Sequence, residues 1–228
     1  MTHRNWKTSL KRVLSRAHVL PAARALQYQL RRTMDPAFRD QEAGLDQAFR
    51  RFAADYGAAF RRAAPSESTS TKRVLVVSSG SLGQLVEIAL VMAFRLAGYR
   101  PVILTDYDRW MEAYYREIGV EEHLYWDDCF RQVPMAEAVQ LMASIGSFEQ
   151  LIKAVYCGAR IGKYAASTVL RHLRVGRLDL SDRSVRDALL PFLHRAMCYA
   201  RTAEAIVETL RPQLVLSVDT GYSPRGEL

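Results

Sequence analysis

Arg73-Val-Leu-Val-Val-Ser-Ser-Gly-Ser-Leu-Gly-Gln84, with its continuation to Pro101-Val-Ile-Leu-Thr105, decides the fold. Arg73–Ser78 is an unbroken β-branched and aliphatic run, the pattern of a strand buried on both faces of a parallel sheet. Ser79-Gly-Ser-Leu-Gly83 then turns the chain. Leu82–Ala97 follows a helical pattern, Gly98 supplies its stop, and Pro101–Thr105 is a second strand. Strand, glycine turn, helix, glycine and strand in succession make a βαβ unit. The expected class is α/β, a parallel sheet with flanking helices.

Downstream, Asp108–Ile118 reads as a helix ended by Gly119, and Glu122–Trp126 as a short third strand. Residues 134–175 are mostly helical, with breaks at Gly146, Gly158 and Gly176. Ser181 or Asp182 caps a long helix over 184–210, and Gln213-Leu-Val-Leu-Ser-Val218 repeats the buried-strand pattern. A strand that enters a loop is normally followed by a helix that covers the sheet. Two outcomes stay open: an unusual edge strand, or a chain belonging to a longer design. The second is the expectation.

Upstream, Pro65-Ser-Glu-Ser-Thr-Ser-Thr71 is a small polar linker. Before it, Pro36–Ala64 reads as a helix with Asp35 as N-cap and Pro36 at its first position. Its stripe of Phe38, Leu45, Phe49, Phe52, Tyr56 and Phe60 must pack on something. Residues 4–20 place Trp6, Leu10, Val13, Leu14 and Ala17 on one helical face. Pro21 interrupts that pattern and Ala22–Met34 resumes it. The organisation expected is a helical basic arm (1–64), a linker (65–71) and an α/β domain (72–228).

The chain has 228 residues, 49% hydrophobic and 25% charged, with a net charge of +8. This is the composition of a soluble globular protein rather than a disordered or disulfide-stapled one. Eight of the 32 Lys and Arg lie in residues 1–34, where no acid occurs. Residues 35–228 are therefore neutral, and the body is not a general polyanion binder. Any anionic partner concerns the arm. Cys129, Cys157 and Cys198 form no CxxC and no zinc-ligand spacing, which favours three core side chains in a reducing compartment. The five histidines adjoin no nucleophile motif and receive no catalytic role.

Three loops could carry chemistry. Ser78-Ser-Gly-Ser-Leu-Gly-Gln84 joins a strand to a helix N-terminus, where backbone N–H groups and the helix dipole favour a negatively charged ligand. It is neither GxGxxG nor a phosphate-binding loop with lysine, so dinucleotide binding fits poorly. Asp219-Thr-Gly-Tyr-Ser-Pro-Arg-Gly-Glu227 concentrates two carboxylates, a tyrosine and an arginine. Thr105-Asp-Tyr-Asp108 follows the second strand, where Asp106 or Asp108 also serves as an ordinary helix cap. If the three strands are neighbours, Ser79, Gly80, Ser81, Gln84, Asp106, Asp219, Tyr222, Arg225 and Glu227 converge on one polar cleft.

The run Arg73–Leu90 with Leu96–Val102 resembles the start of a GT-B glycosyltransferase, more narrowly the glycosyltransferase-like proteins of bacterial capsule and surface polysaccharide biosynthesis. Gly162-Lys-Tyr-Ala through Arg171-His-Leu-Arg-Val-Gly-Arg-Leu178, and Arg211-Pro through Leu228, are similar to the same group. The resemblance covers residues 72–228. It implies a Rossmann-like sheet forming the acceptor-binding, amino-terminal half of a two-domain fold. Nucleotide sugar is then a co-substrate held mainly by a second domain, with no metal and no other cofactor. Many members of that family carry His at the end of the first loop. Gln84 stands there and cannot act as a base, so Asp219, Glu227 or Asp106 would have to supply one. Ser79, Gly80, Ser81, Gly83, Gln84, Tyr222 and Arg225 would contact substrate.

The activity implied is transfer of a sugar from a nucleotide sugar to a glycan or lipid-linked acceptor, with the isolated chain inactive. The alternative is a non-catalytic glycan-binding or assembly module, scaffolding a partner through Phe49, Phe52, Tyr56 and Phe60. The reading frame past codon 228 separates the two. The arm would dock on the anionic cytoplasmic face of the plasma membrane. A solvated basic face and an organelle-targeting peptide are its other readings. Nucleic acid is not an expected partner, and no oligomeric state is assigned.

Overall fold

The computed structural model describes residues 20–63, 72–78, 84–105 and 109–217. The chain divides into two compact units after Asp127. In the first, strand β1 (Arg73–Val77) and strand β2 (Arg100–Thr105) form the parallel pair that their composition requires. Val74–Val77 and Pro101–Thr105 are buried throughout. Arg73 sits opposite Arg100 and Val77 opposite Leu104. Strand β3 (His123–Tyr125) extends the ladder in parallel, with Ile103 opposite His123.

Helix α1 (Leu20–Met34) and helix α2 (Pro36–Ala63) precede the sheet, helix α3 (Gln84–Leu96) joins β1 to β2, and helix α4 (Arg109–Glu117) joins β2 to β3. α3 and α4 end alike. Gly98 and Gly119 lie at φ +80 and +81°, a left-handed conformation that favours glycine. The residue after each glycine donates its N–H back across the last turn: Tyr99 to the Phe94 carbonyl at 2.9 Å, Val120 to the Tyr115 carbonyl at 3.0 Å. This is the closing pattern that satisfies orphan helix carbonyls. At the start of α2, the Phe38 N–H donates to Asp35 Oδ1 at 3.1 Å, as the cap reading requires.

Two expectations change in this unit. The α2 stripe is not a free surface. Phe49 is 1% exposed and packs on Tyr114 of α4, ring centroids 4.8 Å apart, and Leu45 is buried as well. Phe49 is therefore unavailable to a partner, although Tyr56 is 53% exposed. The third strand also stops one residue early. Trp126 opens a one-turn helix, α5 (Trp126–Cys129), and buries its indole. Phe60, the linker 65–71 and residues 4–19 lie outside the described set or its side chains.

The second unit is helical. Helix α6 (Met135–Ser144), helix α7 (Phe148–Lys153), helix α8 (Ile161–Leu173) and helix α9 (Arg183–Leu210) enclose a core that includes Leu151, Ile161, Val169, Leu189, Leu193 and Met197. Asp182, not Ser181, caps α9, accepting from the Ser184 N–H at 2.7 Å. Ser181 instead donates to Asp179. Arg186 of α9 donates its guanidinium fork to the carbonyls of Met142 and Ile145, at 2.8 and 3.0 Å, and so closes the end of α6.

α9 also stitches the extended segment before α6. His194 Nε2 lies 2.7 Å from the Val133 carbonyl, Cys198 Sγ accepts from the Val133 N–H at 3.4 Å, and Thr202 Oγ1 accepts from the Arg131 N–H at 2.9 Å. The three side chains recur every four residues along one helix face. That spacing gives His194 and Cys198 structural roles, because buried backbone groups need partners.

Within the second unit, strand β4 (Leu214–Ser217) follows α9. It departs from the expected buried strand: Leu214 and Val215 are 41 and 42% exposed. Aliphatic composition alone does not distinguish an exposed strand from a buried one. Among the described residues, no helix is long and apolar enough to cross a membrane.

Candidate functional site

The Ser78 N–H donates to the Leu104 carbonyl at 2.9 Å, so the β1–β2 ladder continues one residue past β1. The loops after β1 and β2 therefore leave neighbouring parallel strands at one sheet edge. Open α/β sheets bind ligands there, outside the carboxyl ends of their strands.

Beneath the start of the first loop lies a buried polar cluster. Glu87, in the first turn of α3, is 0% exposed, and Ser78 is 4% exposed. Ser78 Oγ donates to Glu87 Oε2 at 3.2 Å, and the Tyr115 hydroxyl of α4 donates to the same oxygen at 2.9 Å. The Tyr115 and Ser78 oxygens are themselves 3.2 Å apart. Three elements thus meet at one carboxyl group. The first turn of a helix suits it, because the dipole presents its positive end there. Ser78 immediately precedes Ser79-Gly-Ser-Leu-Gly83 in sequence, so the cluster holds the residue that leads into the glycine loop.

Glu87 and Tyr115 were not among the candidate site residues, although a signal was present. Glu87 is the sole charge in Leu85-Val-Glu-Ile-Ala-Leu-Val-Met-Ala-Phe94. It lies one turn before Val91 and beside Ile88, both buried, so the helical spacing places it on the apolar face. A carboxyl group on that face needs partners.

A second polar group borders an open hollow of about 310 Å³ lined by Glu112, Ala113, Arg116 and Tyr125. Glu112 accepts from Tyr125 Oη and from Arg116 Nε, the latter at 2.9 Å, and Arg116 also pairs with Glu121 at 3.0 Å. Burial works to raise the Glu112 pKa, but the donors from Tyr125 and Arg116 outweigh it and hold the carboxyl below its ordinary value of 4.5. A carboxylate saturated in this way is a poor base. Its contribution to stability is present above pH 4.5 and is lost as the pH falls through its depressed folded value. Glu112→Gln should therefore cost about 1 kcal/mol at pH 7, a modest figure because Arg116 is half exposed. Urea unfolding at pH 7 and pH 3 checks this: the gap between variant and parent should shrink in acid.

Ser79, Gly80, Ser81, Gly83, Asp106, Asp219, Tyr222, Arg225 and Glu227 are outside the described residues, as is Asp108. Gln84 is the first residue of α3. Among the described residues, no group of three His, Cys, Asp or Glu side chains is arranged to hold a metal ion. His172 packs on Phe192 and His123 Nδ1 lies 3.1 Å from the Glu121 carbonyl. No protein-family model, curated protein or solved structure matches the chain.

Proposed function

We propose that this chain is the acceptor-side, Rossmann-like half of a GT-B glycosyltransferase, acting in surface polysaccharide synthesis on a glycan or lipid-linked acceptor. The observation that carries the reading is the Ser78–Glu87–Tyr115 cluster at the carboxyl edge of a parallel βαβ unit. A buried carboxyl group is expensive to maintain in a merely connecting turn, whereas a loop that must present backbone N–H groups in one arrangement needs such an anchor. On this reading Ser79, Gly80, Ser81 and Gly83 cradle an anionic group of the acceptor, and Gln84 hydrogen-bonds to it. Asp219, Glu227 or Asp106 takes the acceptor proton, Tyr222 and Arg225 contact substrate, and a second domain holds the nucleotide sugar. Glu87 touches no substrate and acts as a positioning residue.

Calorimetric titration tests the reading. The purified chain should bind a polyprenyl-phosphate-linked oligosaccharide and give no heat with nucleotide sugars. It should also transfer no sugar between them. Absence of acceptor binding would sink the proposal, and turnover by this chain alone would overturn the assignment of the donor site to a second domain.

A further inference from the structure

The outward face of α1 is apolar where an ordinary surface helix is polar. Its inner face packs on α2: the Tyr28 and Phe38 rings meet edge to face at 5.8 Å, Tyr28 donates to Glu42, and Arg32 pairs with Glu42 at 3.1 Å. Arg31 lies over the Phe38 ring and 3.7 Å from Asp35. Leu26, Leu30 and Met34, spaced by four, lie on the opposite side of the helix, and they are 62, 52 and 78% exposed. A stable helix face of this kind is buried by something other than water.

Charge selects the occupant. The acids beside α1, Asp35 and Glu42, are already paired with Arg31 and Arg32. The sequence of residues 1–34 holds six further basic residues, Arg4, Lys7, Lys11, Arg12, Arg16 and Arg24, and no Asp or Glu. An aliphatic face on a segment whose sequence carries six further cations and no acid fits an anionic lipid surface, with headgroups for the charges and acyl boundary for the leucines. A second copy of the chain would instead bring the same cations against one another. We propose that α1 lies in the plane of an anionic bilayer, with Leu26, Leu30 and Met34 entering the acyl boundary. Two weak signals acting together give stable attachment where one does not. The inference stands independently of the glycosyltransferase reading.

Co-sedimentation of the full chain with vesicles tests it. The parent should bind phosphatidylglycerol-containing vesicles and not pure phosphatidylcholine, and 0.5 M salt should weaken binding, because the Debye length then shortens to about 4 Å and screens the attraction. The triple variant Leu26→Ser/Leu30→Ser/Met34→Ser changes only exposed positions, and circular dichroism should show the parental helix content. It should lose about tenfold or more of its vesicle affinity although every basic residue remains. Unchanged binding by that variant would overturn the insertion of α1. So would failure of the parent to bind anionic vesicles, or a concentration-dependent dimer in sedimentation velocity that the triple variant abolishes. As a second probe, Leu30→Cys carrying a polarity-sensitive fluorophore should shift its emission to the blue on anionic vesicles, and an unshifted emission counts against the proposal.

Discussion

Gly162→Ala should destabilise the helical unit by about 3 kcal/mol or more, the largest single-residue effect expected in the described part of the chain. Gly162 lies in the first turn of α8, where its N–H donates to the Ala154 carbonyl at 3.2 Å. A Cβ there would stand 1.7 Å from the Leu151 carbonyl oxygen and 2.8 Å from its carbon. Those atoms are backbone, so no rotamer change relieves the clash, and α8 must move away from α7. Alanine's intrinsic helix advantage, about 1 kcal/mol over glycine, is too small to compensate. Gly44→Ala is the control. Gly44 lies inside α2 with nothing within 4 Å of an added Cβ. That substitution should stabilise by up to about 1 kcal/mol. Urea unfolding of both variants should move in opposite directions. A Gly162→Ala protein as stable as its parent would mean that α7 and α8 do not approach as described.

The second large effect concerns the anchor of the candidate site. Glu87→Ala removes the acceptor shared by two buried hydroxyl groups, those of Ser78 and Tyr115. Hydrogen bonds to an acidic acceptor are worth roughly 1.5–3 kcal/mol each, and a buried donor left alone carries a further desolvation cost. About 3 kcal/mol of destabilisation is expected for Glu87→Ala and about 2 kcal/mol for Tyr115→Phe, which keeps the ring and removes only the donor. The two residues share one interaction, so their effects should not add. A double-mutant cycle of Glu87→Gln with Tyr115→Phe, followed by urea unfolding, measures the coupling. Strict additivity would show that the cluster is not a unit.

The βαβ unit was legible because its residues obey one rule at a time. Val74–Val77 satisfy the burial pattern of a strand covered on both faces, and Gly98 and Gly119 mark helix ends that require a left-handed residue. The capping role of Asp35 followed from the proline beside it. Legibility failed where the deciding partner is distant in sequence. Leu214 and Val215 look like Val76 and Val77, yet they are exposed where Val76 and Val77 are buried. Periodicity showed that α2 has an apolar face but not that Tyr114 covers Phe49. Glu87 was hidden for the same reason, since its partners Ser78 and Tyr115 are 9 and 28 residues away. The charge pattern likewise marked residues 1–34 as unusual, but only the packing of Tyr28 and Arg32 on α2 shows that the aliphatic face of α1 is the outward one.

Under the function proposed above, the carboxyl edge of β1 and β2 receives the acceptor on a loop held by Ser78, Glu87 and Tyr115. Amide-resolved NMR during titration with a polyprenyl-phosphate-linked oligosaccharide tests it most directly. Shifts should concentrate at residues 78–88 and 104–109, with weaker binding in Tyr115→Phe at a temperature where that variant remains folded. Saturable acceptor binding with no shift at those residues, or with Tyr115→Phe indistinguishable from the parent, would contradict it.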